Sequence, residues 1–178
     1  MTGNRLQPPA FQWPDPPLHV ALVEPEIPPN TGNIARLCAA TQSPLHLVGN
    51  LGFRLTDARV RRAGLDYWKS VQILRHDSLA AFESALGTRR AFFLSTKGRI
   101  PYASATFEPG DTLVFGSETR GLPPDLLARH PDTVLTIPMQ TQHVRSLNLA
   151  DSVAIVLYEA LRQINLRLSC DGNSSGIQ

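Results

Sequence analysis

Three stretches of this sequence carry polar and charged side chains of types that can perform chemistry. The first runs from Glu24 to Arg36 (EPEIPPNTGNIAR), the second from Leu113 to Leu127 (LVFGSETRGLPPDLL), and the third from Ile137 to Arg162. Together they supply carboxylate, amide, hydroxyl and guanidinium groups, which can bind anions and hydroxyls or transfer protons. Each stretch comes directly after or at the end of an apolar run.

In the first stretch, Pro28 and Pro29 favour an extended approach to a helix over about 33–41. Asn30 or Thr31 can cap that helix through a side-chain oxygen, and this structural interpretation stays open beside a functional one. Arg36 would then lie on the first or second turn, where the helix dipole disfavours a cation. Capping therefore does not account for Arg36.

In the second stretch, Gly116 ends a predicted strand where a ligand could approach the backbone closely. Glu118 and Arg120 follow within one turn, and Gly121 suits a position with positive φ. The alternative is that Glu118 and Arg120 form a solvent-exposed ion pair of the turn.

In the third stretch, Arg145, Ser146 and Asn148 lie in the loop that leads into a long predicted helix. Asn148 is a good N-cap, which provides a structural alternative for this residue. Arg145 at the positive end of a helix is unfavourable unless an anion or an acidic side chain lies nearby.

Several other chemistries are not indicated. The sequence contains no P-loop, no GxGxxG fingerprint and no GxSxG elbow. The five histidines lack metal-ligand spacing to one another or to Cys38 and Cys170, so no metal is expected. The strand histidines His19 and His46 are expected to be packing or edge residues. Cys38 falls on an apolar helix face, where an inert thiol is expected, and two cysteines fit a reducing cytosol.

The elements that must position these residues alternate between strands and helices. Strands are predicted at 18–23, 45–48, 71–74, 91–94, 112–115 and 134–137, and helices at about 33–41, 57–63, 79–86, 124–128 and 148–168. This alternation predicts an α/β fold with a mostly parallel sheet flanked by helices. Such sheets bind ligands outside the carboxyl ends of their strands, where the three polar stretches lie.

The charge is distributed unevenly along the chain. The formal net charge is only +2, yet residues 54–99 contain ten basic and four acidic side chains. Arg59, Arg61 and Arg62 lie close to Tyr67 and Trp68, a mixture suited to phosphate binding and base stacking. The alternative is a solvated helix face with core aromatics.

The composition indicates one globular domain with two extensions. The chain has 178 residues, of which 42% are hydrophobic and 18% charged, enough for one domain with its own core. We expect a proline-rich N-terminal arm over residues 1–17, the folded domain over 18–168 and a flexible tail over 169–178. Neither a membrane span nor a secretory signal is indicated, so a cytoplasmic location is expected.

Five segments together resemble the SpoU (TrmH-type) branch of the SPOUT RNA 2′-O-ribose methyltransferases, and most closely its short TrmL-like tRNA enzymes. They are EPEIPPNTGNIARLCAAT, RRAGLDYW, STKG, FGSETRGLP and IPM…RSLNLADSVAIVLYEALRQ, in the family's order from about Leu18 to Gln163. The resemblance implies a C-terminal trefoil knot and a homodimer. It also implies methyl transfer from S-adenosylmethionine to the ribose 2′-OH of the wobble nucleotide, cytidine or modified uridine 34. The substrate would be the anticodon stem-loop of a tRNA, with tRNA-Leu expected first.

The resemblance also implies roles for individual residues. The catalytic residues would be Asn30, Arg36, Glu118, Ser146 and Asn148. The cofactor pocket would be formed by Leu94, Gly116, Ile137, Ser146 and Leu147. We interpret Arg36 as a clamp on the target phosphate, because a guanidinium is a poor base, and as a base only where that phosphate assists. Arg145 would be a second phosphate contact.

Two other functions stay open. The same reaction could act on another tRNA position or on ribosomal RNA, or the chain could be a non-catalytic RNA- or cofactor-binding homologue. The second alternative predicts losses among Arg36, Glu118, Ser146 and Asn148, yet all four are present. The sequence departs from the family pattern at Ser117, where proline is common, and in a slightly longer loop over 139–145.

Overall fold

Seven strands form one sheet in the part of the chain described by this computed structural model, residues 11–53, 70–140 and 142–173. The strands are β1 (His19–Val23), β2 (Leu45–Val48), β3 (Ile73–His76), β4 (Ala91–Leu94), β5 (Ile100–Pro101), β6 (Thr112–Phe115) and β7 (Val134–Thr136). Their spatial order is β3-β2-β1-β6-β4-β7-β5, and every neighbouring pair is parallel. The predicted parallel α/β sheet is confirmed.

The apolar runs locate most of these strands well. Five strands lie within one residue of the predicted bounds, whereas β3 begins at Ile73 rather than Val71. The apolar pattern does not predict β5, because a strand of two residues is too short to show an alternation.

Four α-helices are present in the described residues: α1 (Pro28–Thr41), α2 (Leu79–Leu86), α3 (Pro124–Arg129) and α4 (Leu149–Asn173). The helix predicted at 57–63 lies outside the described residues. Helix α4 continues past Leu168, so the predicted start of a flexible tail at residue 169 falls inside it. No proline interrupts this segment, and its first glycine after Leu168 is Gly172, at the helix end.

The start of α1 corrects the predicted approach to the first polar stretch. The helix begins at Pro28 rather than near residue 33, and its N-cap is Ile27, which makes no capping bond through a side chain. A proline at the first helical position costs nothing, because its missing N–H would have no partner within the helix. Asn30 and Thr31 are thus helical residues and not caps, and Arg36 lies on the third turn.

The helices cover the two faces of the sheet. Helices α1 and α4 pack against each other and bury Ile34, Cys38, Val153 and Leu157 on one face. Helices α2 and α3 cover the other face through Phe82 and Leu126. No described helix is long and apolar enough to cross a bilayer. The central strands are buried on both faces, so the polar groups of the fold collect at the strand ends.

Candidate active site

A cavity of about 550 Å³ opens where three neighbouring strands end. Leu94 is the last residue of β4, Phe115 of β6 and Thr136 of β7, and all three line the cavity. The remaining walls come from the start of α1 and from the loop that leads into α4. This location, at the carboxyl edge of a parallel sheet, is the one that the sequence predicts for a ligand.

All five residues predicted for the cofactor pocket line this cavity. Leu94 and Gly116 lie at the ends of β4 and β6, and Ile137 follows β7. Ser146 and Leu147 approach from the loop before α4. The sheet order brings these residues together although they are far apart in the sequence.

Glu118 is held by the first polar stretch rather than by solvent. Its Oε2 accepts a hydrogen bond of 2.8 Å from the backbone N–H of Glu26. Its Oε1 accepts from the backbone N–H of Ile27 at 3.2 Å and from Asn30 Nδ2 at 2.9 Å. The carboxylate also lies at the N-terminus of α1, where the helix dipole favours a negative charge. The alternative in which Glu118 pairs with Arg120 in the turn is wrong.

Asn148 connects the third polar stretch to the first. Its Nδ2 donates a hydrogen bond of 3.0 Å to Asn30 Oδ1. Its Oδ1 accepts from the backbone N–H groups of Ala150 at 2.8 Å and Asp151 at 3.4 Å, which caps α4. Asn148 is therefore both the predicted helix cap and a member of the side-chain network. A chain of hydrogen bonds from Asn148 through Asn30 to Glu118 joins the three predicted stretches.

The turn after β6 is built by close backbone contacts. The N–H of Gly121 donates to the carbonyl of Ser117 at 2.9 Å, and Gly121 has φ +68°, as predicted for this position. A Cβ on Gly116 would lie 2.0 Å from the carbonyl carbon of Gly121. The atoms that approach Gly116 most closely thus belong to its own turn.

Arg145 and Ser146 supply uncommitted polar groups at the cavity. Both side chains are exposed, and neither makes a hydrogen bond or ion pair to another described residue. A guanidinium and a hydroxyl in this position can bind an anion and a ribose hydroxyl. The carboxylate and amides of Glu118, Asn30 and Asn148 are, by contrast, engaged in holding the loops together.

The other predicted residues lie elsewhere. Arg36 is exposed on the third turn of α1 and is not among the residues that line the cavity. Arg59, Arg61 and Arg62 fall outside the described residues. The described residues contain no group of three or more side chains arranged to hold a metal ion.

Two contributions to the site are not anticipated from the sequence. Glu26 supports the turn after β6, since its N–H binds Glu118 and its carboxylate accepts from Thr119 Oγ1 at 2.7 and 2.9 Å. Lys97, in the loop after β4, lines the cavity. The position of each directly after a strand is the signal that could have found them, because loops after parallel strands meet at one edge.

The parallel sheet carries a ligand-sized cavity at its carboxyl edge, and carboxylate, amide and basic groups line it. These features are typical of the ligand-binding domain of an α/β enzyme. The SpoU rRNA Methylase family matches residues 17–158, and the chain belongs to this family. The resemblance found from the five segments is thereby confirmed.

Individual relatives agree with this assignment. The chain is 47% identical over 148 residues to the tRNA (cytidine(34)-2′-O)-methyltransferase of Escherichia coli (strain K12), covering 83% of this chain and 94% of that protein. It is 50% identical over 148 residues to the enzyme of the same name from Burkholderia pseudomallei (strain 1106a), covering 82% and 94%.

Solved structures give the same picture. A structure described as "Structural insights into the 2-OH methylation of C/U34 on tRNA" matches with a TM-score of 0.78 and 51% identity, over 82% of this chain and 95% of that one. The SpoU methyltransferase AviRb from Streptomyces viridochromogenes in complex with AdoMet matches with a TM-score of 0.72 and 26% identity, over 85% and 60%.

Proposed function

We propose that this protein transfers the methyl group of S-adenosylmethionine to the ribose 2′-OH of nucleotide 34, cytidine or uridine, in the anticodon loop of a tRNA. The observation that carries the proposal is the convergence of the three polar stretches on one cavity at the carboxyl edge of the sheet. The reaction named for the relatives from Escherichia coli and Burkholderia pseudomallei supports the substrate, since the likeness covers 94% of each. Because tRNA is the substrate, we place the enzyme in the cytoplasm.

The cavity fits S-adenosylmethionine in size and chemistry. Its volume of about 550 Å³ lies within the range of small-molecule sites. Leu94, Ile137 and Leu147 offer apolar walls for an aromatic base, and the strand ends offer backbone hydrogen-bonding groups. The AdoMet complex of AviRb supports the same cofactor. When bound, S-adenosylmethionine supplies a methyl group that is already electrophilic.

The protein must then hold the 2′-OH in line with this methyl and assist the loss of its proton. We assign Ser146 to the ribose and Arg145 to an adjoining phosphate, since both are exposed and uncommitted at the cavity. We assign Asn30, Glu118 and Asn148 to positioning, because their polar groups are engaged with one another. Arg36 stays the proposed clamp on the target phosphate, reached as the RNA passes from the cavity over α1.

We further propose a homodimer. Ile155, Tyr158 and Leu166 are exposed on α4, with exposed fractions of 36%, 50% and 51%. Their helical spacing places these apolar side chains on one side of α4, where a second copy would cover them. The variant Tyr158→Glu should therefore shift the protein to a monomer in light scattering, and an unchanged mass would contradict this interface.

We also propose that the chain is knotted. Strand β7 pairs with both β4 and β5, and the loop 95–99 that joins β4 to β5 crosses beside it. A Cβ on Gly98 in this loop would lie 2.7 Å from the carbonyl of Leu135 in β7. This close crossing supports a knot in which the chain that follows β7 passes through the loop 95–99. An experimental structure that traces residues 137–148 outside the loop would remove the knot.

Methyl transfer to tRNA tests the function directly. The protein is incubated with S-adenosylmethionine labelled in the methyl group and with tRNA from a strain lacking the enzyme, and the modified nucleotide is mapped. We expect a 2′-O-methyl group at position 34. A mark at another nucleotide would overturn the substrate but keep the reaction, whereas cofactor binding without transfer to any RNA would indicate a non-catalytic homologue.

The role of Arg36 is tested in the same assay. Arg36→Ala should reduce methyl transfer even when tRNA is saturating, because the target phosphate would no longer be held in line. Normal transfer at saturating tRNA would show that Arg36 has no chemical role.

Three arginines outside the described residues remain proposed RNA contacts: Arg59, Arg61 and Arg62. Their alanine variants should weaken tRNA binding while leaving the maximal rate unchanged.

A further inference from the structure

Arg120 stands at the cavity on a backbone that is fixed by the turn after β6. Its N–H donates to Ser117 Oγ at 3.3 Å, and the next residue, Gly121, closes the turn on the carbonyl of Ser117. Its side chain is nevertheless 70% exposed and lines the cavity. The backbone of Arg120 is thus fixed by the turn, whereas its exposed guanidinium group can exchange one hydrogen-bond partner for another.

The present partners of Arg120 occupy only one edge of its guanidinium group. Nη2 donates to Glu24 Oε2 at 3.1 Å, and Nε lies 3.7 Å from Glu26 Oε1. Nη1 has no partner among the residues that the structure describes. The Glu26 carboxylate also accepts from Thr119, so Glu24 is the carboxylate most specifically committed to Arg120. Exposed ion pairs of this kind contribute little to stability, so the contact can be exchanged easily.

We propose that Arg120 binds a phosphate of the RNA and that, in the free protein, its guanidinium group pairs with the Glu24 carboxylate instead. The proposal rests on the proposed function, in which a ribose must enter the cavity that Arg120 lines. Each ribose is flanked by phosphates, and a guanidinium binds a phosphate through two parallel N–H groups. The free Nη1 group can receive the phosphate first, and the approaching anion then competes with the Glu24 carboxylate for Arg120.

The salt dependence of tRNA binding tests this role. The dissociation constant for unmodified tRNA is measured at several salt concentrations for the wild type and for Arg120→Ala. Loss of one phosphate contact should lower the slope of log affinity against log salt by about 0.7–0.9. The KM for tRNA should rise, whereas kcat at saturating tRNA should change little. Arg120→Lys should keep the slope, since a lysine also neutralises one phosphate.

Arg129 provides the matched control. It is an exposed arginine on α3 that also pairs with a glutamate, with Nη2 2.7 Å from Glu83 Oε1, but it does not line the cavity. Arg129→Ala should keep the wild-type slope. Equal slopes for Arg120→Ala and the wild type would overturn the proposal, as would an equal loss of slope in Arg129→Ala.

Glu24→Gln tests whether Arg120 exchanges the Glu24 carboxylate for a phosphate, without removing the arginine. This variant removes the shorter of the two carboxylate contacts of Arg120, leaving the one of 3.7 Å to Glu26, and it removes a competing anion. Unmodified tRNA should therefore bind several-fold more tightly, and the gain should shrink in the Arg120→Ala background. Weaker binding by Glu24→Gln would contradict the exchange. A wild-type protein that neither binds nor methylates tRNA would instead remove the proposed function, so the two failures are distinguishable.

Discussion

The side-chain amide of Asn148 donates a hydrogen bond of 3.0 Å to the side-chain oxygen of Asn30, across 118 positions of the sequence. Because this oxygen accepts from Asn148, the amide nitrogen of Asn30 faces Glu118, an acceptor when it is ionised. The contact therefore orients Asn30 and ties the start of α4 to α1. The integrity of this network determines whether the three loops keep their shape around the cavity.

The first prediction concerns Asn30→Asp. The variant replaces a donor 2.9 Å from Glu118 by a second carboxylate, so a partly buried hydrogen bond becomes a repulsion. We expect the free energy of unfolding at neutral pH to fall by about 2 kcal/mol or more, as measured by urea denaturation. The loss should be smaller near pH 5, where one carboxyl can take up a proton. Asn50→Asp, at an exposed position, is the control, and an equal loss there would refute the interpretation.

The second prediction compares two glycines of the turn after β6. A Cβ on Gly116 would lie 2.0 and 2.2 Å from backbone atoms of Gly121 and Leu122, so Gly116→Ala must displace the turn. Gly121 has no atom within 4 Å of an added Cβ but has φ +68°, so Gly121→Ala costs only about 1–2 kcal/mol of conformational strain. Thermal unfolding and cofactor titration should show Gly116→Ala to be the more damaging change. Equal effects would mean that the close approach at Gly116 is not essential.

The third prediction concerns a ladder of histidines on three adjacent strands. His46 on β2 lies 2.9 Å from the nitrogens of both His19 on β1 and His76 on β3. His46 is 2% exposed, which confirms the expected packing role. Burial, with the nearby charges of His19, His76 and Arg89, lowers the pKa of His46 to about 3.

The unfolded chain, in which the pKa of His46 is near 6.5, therefore takes up a proton that the folded protein does not. The free energy of unfolding should fall as the pH drops from about 6.5 towards 3, by up to about 1.4 kcal/mol per pH unit from this residue. Denaturant titrations between pH 7.5 and 5 measure this slope. His46→Leu should flatten it, and an unchanged slope would show that other groups cause the acid sensitivity.

The fourth prediction concerns Cys38, which is fully buried in α1. Burial raises the pKa of its thiol to about 12, so almost no reactive thiolate is present at neutral pH. In the variant Cys170→Ser, which leaves Cys38 as the remaining cysteine, iodoacetamide should modify the protein only after denaturation. Mass spectrometry of native and unfolded samples measures the modification, and rapid alkylation of the native protein would contradict the assignment.

The sequence alone determined the architecture and the region of the site. Apolar runs of four to six residues between helical patterns mark the parallel strands, because strands buried on both faces need apolar side chains on both. The polar stretches after β1 and β6 and before α4 could be placed at the cavity because the carboxyl ends of parallel strands meet at one edge of the sheet. The start of α1 differs from the expectation, because two consecutive prolines can either extend the chain or begin a helix.

Only the tertiary structure decided which groups pair within the site. Local preferences suggest that Asn30 caps a helix and that Glu118 pairs with Arg120, whereas Asn30 donates to Glu118 and Arg120 pairs with Glu24. These contacts join residues 88 and 96 positions apart, and they exist because β6 lies beside β1 in the sheet. The amino-acid types near a strand end can be read from the chain. Their partners depend on the order in which the strands assemble, which no local preference contains.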